Sequence, residues 1–164
     1  MKKFVALLLS LLCMTLFVSC DFDAGYLELG FRLPGEYREV EAKESYDMSY
    51  TDDEIFIGVS RYTFSACIED GILTTMTPRK FSDFYKEKSG VKDASTTEEY
   101  RKIPHYTYTK TGDSGREFVY TLTFYRTDYA YFIITFITTP ESYFEREGDI
   151  YAVLDTVYIR SFEN

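Results

Sequence analysis

Two adjacent segments, Arg116–Arg126 (REFVYTLTFYR) and Tyr129–Thr138 (YAYFIITFIT), constrain the fold of this chain more than any other feature. Both are dense in aromatic and β-branched residues, which suit the pleated, half-buried surface of a strand. Only Thr127 and Asp128 separate them. A connection that short leaves no room for a crossover, so the two strands must pair antiparallel. In the first, Phe118, Tyr120, Leu122 and Phe124 fall on one face and Val119 and Tyr125 on the other. A strand apolar on both faces belongs in the middle of a sheet that is covered on both sides.

The remaining elements follow from local signals. Tyr26–Leu33 alternates Leu27, Leu29, Phe31 and Leu33 against Glu28, Gly30 and Arg32, a first strand that Pro34 and Gly35 close with a turn. SYDMSYT, the acidic turn Asp52–Glu54 and the long apolar run Ile55–Ile68 predict a hairpin, with Cys67 a small buried strand residue. Thr77 as N-cap, Pro78 at the first helical position and Gly90 as a left-handed stop bound a helix whose buried face is Phe81, Phe84 and Tyr85. Val91–Lys102 is polar and predicts a surface connection. IPHYTYTK, beginning at Ile103, is another strand, joined to Arg116–Arg126 through the turn TGDSG. Thr139 and Pro140 open a second helix with the stripe Tyr143, Phe144, Ile150, Tyr151, Leu154 and Val157, and YIRSF ends it as a short strand or as more helix. With no repeat or interdomain linker, the expected fold class is α+β in one domain.

The order hairpin, helix, antiparallel meander, C-terminal helix resembles the PsbP-like family. The residues that carry the resemblance are LGFRLPGEY, TPRKFSDFYKEK and IYAVLDTVYIRSF, and it covers roughly Tyr26 to Phe162. That family includes an extrinsic photosystem II subunit, a Ran-binding nuclear import factor and many bacterial envelope lipoproteins. The resemblance implies an antiparallel β-sheet flanked by helices, a three-layer α/β/α sandwich, and a binding or assembly role rather than catalysis. It implies no particular partner.

The N-terminus bears on location. Met1, Lys2 and Lys3 precede Phe4–Val18, apolar apart from Ser10 and Thr15. As helix this run rises about 22 Å, short of the roughly 30 Å hydrocarbon core, so it reads as a secretory signal rather than a permanent span. Phe17, Val18 and Ser19 before Cys20 resemble a bacterial lipobox, with Phe17 standing where Leu is usual. The expected organisation is a signal peptide at 1–19, a lipidated Cys20 with a short tether at 20–26, and the domain at 27–164. An ordinary signal with a chance cysteine is the competing reading. Several acyl chains on one cysteine would make membrane attachment durable, where a single chain would not. Cys13 lies inside the removed run. Modification of Cys20 leaves Cys67 without a disulfide partner; without it the two could pair.

Charge excludes one class of partner. Without residues 1–19, which carry two lysines and no acid, the formal charge moves from −9 to −11. Nucleic-acid binding relies on clustered Lys and Arg, so no nucleic acid is expected, and anionic headgroups would repel the domain as a whole. The expected partners are the membrane, through the anchor, and an envelope protein or small ligand.

Candidate chemistry is sparse. His105 is the only histidine, which excludes a two-histidine metal site, and no GxSxG context exposes a serine nucleophile. The densest acidic groups, Asp52–Glu54 and Glu145–Asp149, lack the ligand spacing of an EF-hand loop and read as a turn and a solvated helix face before a calcium site. No catalytic, cofactor-binding or metal residue is assigned. The Tyr-rich strands offer a possible binding surface in Tyr106, Tyr108, Tyr120, Tyr129 and Tyr131, set against core packing with hydroxyls at the rim. A hydrolase with paired carboxylates and a structural spacer are the alternatives to a binding protein.

Overall fold

The computed structural model describes residues 22–26, 28–43, 45–91, 94 and 102–160. The signal run with Cys13, the lipobox-like Cys20, most of the 91–102 connection and the Ser161–Phe162 ending lie outside the described residues. The elements are β1 (Phe22–Gly25), β2 (Leu29–Leu33), β3 (Arg38–Val40), β4 (Met48–Thr51), β5 (Phe56–Thr63), α1 (Phe64–Glu69), α2 (Pro78–Lys88), β6 (His105–Thr111), β7 (Glu117–Arg126), β8 (Ala130–Thr138), α3 (Pro140–Asp155) and β9 (Tyr158–Ile159).

A six-stranded antiparallel sheet runs in the order β3-β4-β5-β8-β7-β6, and a small sheet in the order β1-β2-β9. The two greasy segments are strands β7 and β8, paired Arg126 to Tyr131 through Val119 to Thr138. They lie inside the sheet, between β5 and β6. Each of their faces feeds a separate core. On one, Ile57, Val59, Phe132, Ile134 and Phe136 pack against Leu29, Phe31 and Leu33 of β2 and Ile150, Val153 and Leu154 of α3. On the other, Leu122, Phe124, Tyr131 and Ile133 pack against Cys67 of α1 and Phe81 of α2. The architecture is therefore α+β in three layers, with α1 and α2 on one side and α3 with the small sheet on the other.

Both long helices start as their sequences predict. The Thr77 side chain accepts a hydrogen bond from Lys80 N–H at 3.3 Å and that of Thr139 from Ser142 N–H at 3.2 Å, with proline next in each case. Gly90 takes the left-handed φ of 68° that ends α2.

Four expectations need correction. Phe22–Gly25, assigned to the tether, is a strand paired with β2 from Phe22↔Leu33 to Gly25↔Gly30. Its short, small-residue sequence carries little strand propensity, and the exposed edge of β2 supplies the partner. The run Ile55–Ile68 breaks at Thr63, whose hydroxyl caps α1 by accepting from Ala66 N–H, so Cys67 is a buried helix residue. Strand β3, charged and three residues long, was not anticipated; β4 recruits it as an edge. Phe144 is 88% exposed instead of buried. A non-helical Arg146 (φ −121°, ψ 16°) interrupts α3 and shifts the phase of its apolar stripe. After α3 the chain forms β9 on β2, which resolves the strand-or-helix alternative for Tyr158 and Ile159.

Candidate functional site

The five tyrosines do not form one surface. Tyr131 is fully buried, stacked on Phe81 with ring centroids 4.2 Å apart, and its hydroxyl donates to the carbonyls of Leu73 (2.9 Å) and Met76 (3.0 Å). Tyr106 is 2% exposed and lies 5.4 Å from the Phe124 ring. These two are core residues, correcting the surface expectation, because the α1–α2 layer covers their end of the sheet. Tyr129 stands exposed at the β7–β8 turn, away from the rest. Tyr108 and Tyr120 are cross-strand partners, stacked at 5.1 Å and half-buried, and they alone of the five share an accessible face. Burial, then the neighbouring Tyr120 and Tyr85 hydroxyls, pushes Tyr108 up to about 12.

The acidic groups come together instead. Arg146, at the interruption of α3, donates from Nη1 to Asp52 (2.6 Å) and Glu54 (3.0 Å) and from Nε to Asp149 (2.7 Å). Asp52 lies 94 positions away in sequence. Its side chain is only 3% exposed, and its Oδ1 also accepts the backbone N–H groups of Glu54 (3.0 Å) and Ile55 (2.7 Å). Burial opposes the Arg146 charge, but hydrogen bonds to Asp149, Glu54 and Asp52 outweigh it and hold the guanidinium proton more firmly than usual. The carboxylates that sequence reading weighed as calcium oxygens are thus met by a guanidinium.

Beside this cluster a cavity of about 210 Å³ opens between the Pro34–Tyr37 turn and the second half of α3. Tyr37 and Val153 form apolar parts of its wall, and Arg32, Arg146 and Asp149 its polar parts. Tyr37 is 4% exposed; burial first, then the adjacent Asp52 charge, keeps its hydroxyl protonated well above the ordinary tyrosine range. An apolar hollow with a few fixed polar groups is the usual form of a small-ligand site. Sequence reading missed it because its walls come from opposite ends of the chain; the only local sign was the density of acids around Arg146.

The single histidine and Cys67 are both packed into the interior. His105 is buried on β6, with Nδ1 3.2 Å from the Ile103 carbonyl and its ring edge-on to Tyr151 at 6.4 Å. Cys67 is fully buried, and burial pushes its thiol up, away from the reactive thiolate. Among the described residues no group of three or more His, Cys, Asp or Glu is arranged to hold a metal ion.

No protein-family profile and no curated protein sequence matches the chain. A crystal structure of a protein from Bacteroides thetaiotaomicron VPI-5482 matches at a TM-score of 0.54 and 14% identity over 88% of this chain. This chain spans half of that protein, 50% of its length. The solution structure of cyanobacterial PsbP from Synechocystis sp. PCC 6803 matches at a TM-score of 0.48 and 13% identity, covering 88% of this chain and 95% of that one. At such identity the Bacteroides similarity concerns the fold alone.

Proposed function

We propose that the protein is an extracytoplasmic lipoprotein, held to the membrane by acyl chains on Cys20, whose PsbP-like sandwich domain binds an envelope protein or a small ligand without chemical change. The observation that carries this reading is the lipobox-like Phe17-Val18-Ser19-Cys20 at the end of an apolar run, immediately ahead of the domain. Strand β1 begins at Phe22, so an extended chain from Cys20 reaches it within about 7 Å. This tether is far shorter than one running to Leu27. It would hold the β1-β2-β9 sheet next to the headgroups.

A binding role accords with the chemistry of the domain. In the carboxylate cluster Asp52, Glu54 and Asp149 are all hydrogen-bonded to the one Arg146 guanidinium, which leaves them poorly suited to act as the facing acid pair of a glycoside hydrolase. The test is the intact mass of the protein from the membrane fraction of its host, beside Cys20→Ala. A chain starting at Cys20 with a lipid-sized increment, absent from the variant, is the expected result. An unmodified chain released to the medium would overturn the anchor.

A further inference from the structure

We infer that the sheet face beyond α1 and α2 is a binding site for a small, flat organic anion, a carboxylate carried on one or two rings. Phe56 of β5, Ile137 of β8, Tyr120 of β7 and Tyr108 of β6 are successive cross-strand partners, so they form one straight row across four strands. All four are half-buried. Three of them, Phe56, Ile137 and Tyr120, with Phe118 alongside, line a cavity of about 300 Å³ that the first turn of α3 bounds at Thr139 and Ser142. That volume lies at the small end of ligand pockets, roughly 300–1,000 Å³.

Two cations, Lys43 and Arg116, line this cavity beside two acids. Lys43 Nζ stands 5.0 Å from the Phe56 ring centroid and the Arg116 guanidinium 5.8 Å from that of Phe118. Neither cation has a carboxylate partner among the described residues. Each of the two acids is hydrogen-bonded to an arginine outside the lining: Asp53 to Arg38, with Nη1 to Oδ2 at 3.0 Å, and Glu54 to Arg146, which Asp52 and Asp149 share. Two unpaired cations over an aromatic floor thus occur in a chain of net charge −9. A flat apolar ring matches the floor by stacking, and a carboxylate matches the cations without displacing any existing ion pair.

The inference names a ligand class for the binding role proposed above and does not depend on lipidation of Cys20. The probe is 2-naphthoate, titrated into the isotope-labelled full chain in detergent micelles and followed by amide spectra, with neutral naphthalene-2-methanol as comparison. Saturable shifts at Phe56, Phe118, Tyr120 and Ile137 are expected, with naphthoate binding roughly tenfold tighter than the alcohol. Lys43→Met with Arg116→Met should remove that preference, Lys80→Met on α2 should keep it, and salt near 0.5 M should weaken naphthoate several-fold. Equal affinity for the two probes, an unchanged double variant, or shifts confined to the Tyr37–Arg146 cavity would each overturn the site. If the double variant loses its dispersed spectrum, the charged-against-neutral comparison on the wild type decides. A failure here leaves the mass at Cys20 unaffected, and an unlipidated Cys20 leaves this cavity intact.

Discussion

Replacing Arg146 with methionine removes a guanidinium while keeping much of its apolar stem, so the cost reports the ion cluster rather than lost packing. The main loss is at Asp52, whose side chain is 3% exposed and whose Oδ2 would lose its 2.6 Å partner. Breaking a buried charge pair costs about 3–5 kcal/mol. Two features lower that figure: Arg146 is itself 22% exposed, and Asp52 Oδ1 keeps the backbone donors of Glu54 and Ile55. About 2 kcal/mol for Asp52 is therefore expected. Glu54 and Asp149, 59% and 55% exposed, regain water and together add under about 1 kcal/mol. The total, about 2–3 kcal/mol, should lower the urea midpoint by about 1–2 M if the slope is about 1.5–2 kcal/mol/M, as for a domain of this size. Asp52→Asn in the Arg146→Met background should recover part of the loss, since an amide keeps the Oδ1 acceptor and removes the unpaired charge. A midpoint shift below about 0.3 M, or no recovery in the double variant, would refute the view that a buried Asp52 depends on Arg146.

Other expectations follow from the same packing. Burial pushes the hydroxyls of Tyr46 and Tyr108 up to about 12 and holds Tyr125 higher still; unfolded tyrosine ionises near 10, so this stability is complete below about pH 10 and is lost as pH rises through about 12. Tyrosinate absorbance should then rise in two steps, the second coinciding with loss of circular dichroism, and a single step near 10 with the fold retained would contradict it. A Cβ added at Gly58 would run into the Tyr46 ring, so Gly58→Ala should destabilise by about 1–3 kcal/mol, and in a Tyr46→Ala background the same change should cost nothing; additive melting shifts would refute the contact. The Cys67 thiol should be inert to an aromatic disulfide reagent until denaturant is added, whereas prompt native reaction would show that α1 does not seal it.

The inaccuracies of sequence reading share a physical origin. Caps and turns are chemical events within a few residues, so Thr77-Pro78 and Thr139-Pro140 announce helix starts wherever the helices later pack. Alternation is less specific: Ile55, Ile57 and Val59 begin a strand pattern that Thr63 terminates by capping, and nothing in the period alone distinguishes Cys67 on a strand from Cys67 on a helix. Edge strands were the least legible. Phe22–Gly25 and Arg38–Val40 have little propensity of their own and are strands because β2 and β4 offer unsatisfied hydrogen-bonding edges. Counting aromatics could not separate Tyr131, sealed beneath α2, from Tyr120, left half-exposed on the same strand pair.

By itself the sequence determined the α+β class, the β7–β8 hairpin at the centre of the sheet and both capped helices, because each rests on contacts or periodicity within one short segment. Only the tertiary structure decided which distant residues meet: Asp52 with Arg146, Phe56 with Ile137, Tyr120 and Tyr108, and Gly58 beneath Tyr46. Local conformation is set by backbone sterics and nearby hydrogen bonds, which adjacent residues specify. Charge pairing and cavity shape depend on distances across the fold, and these exist only once the layers have packed.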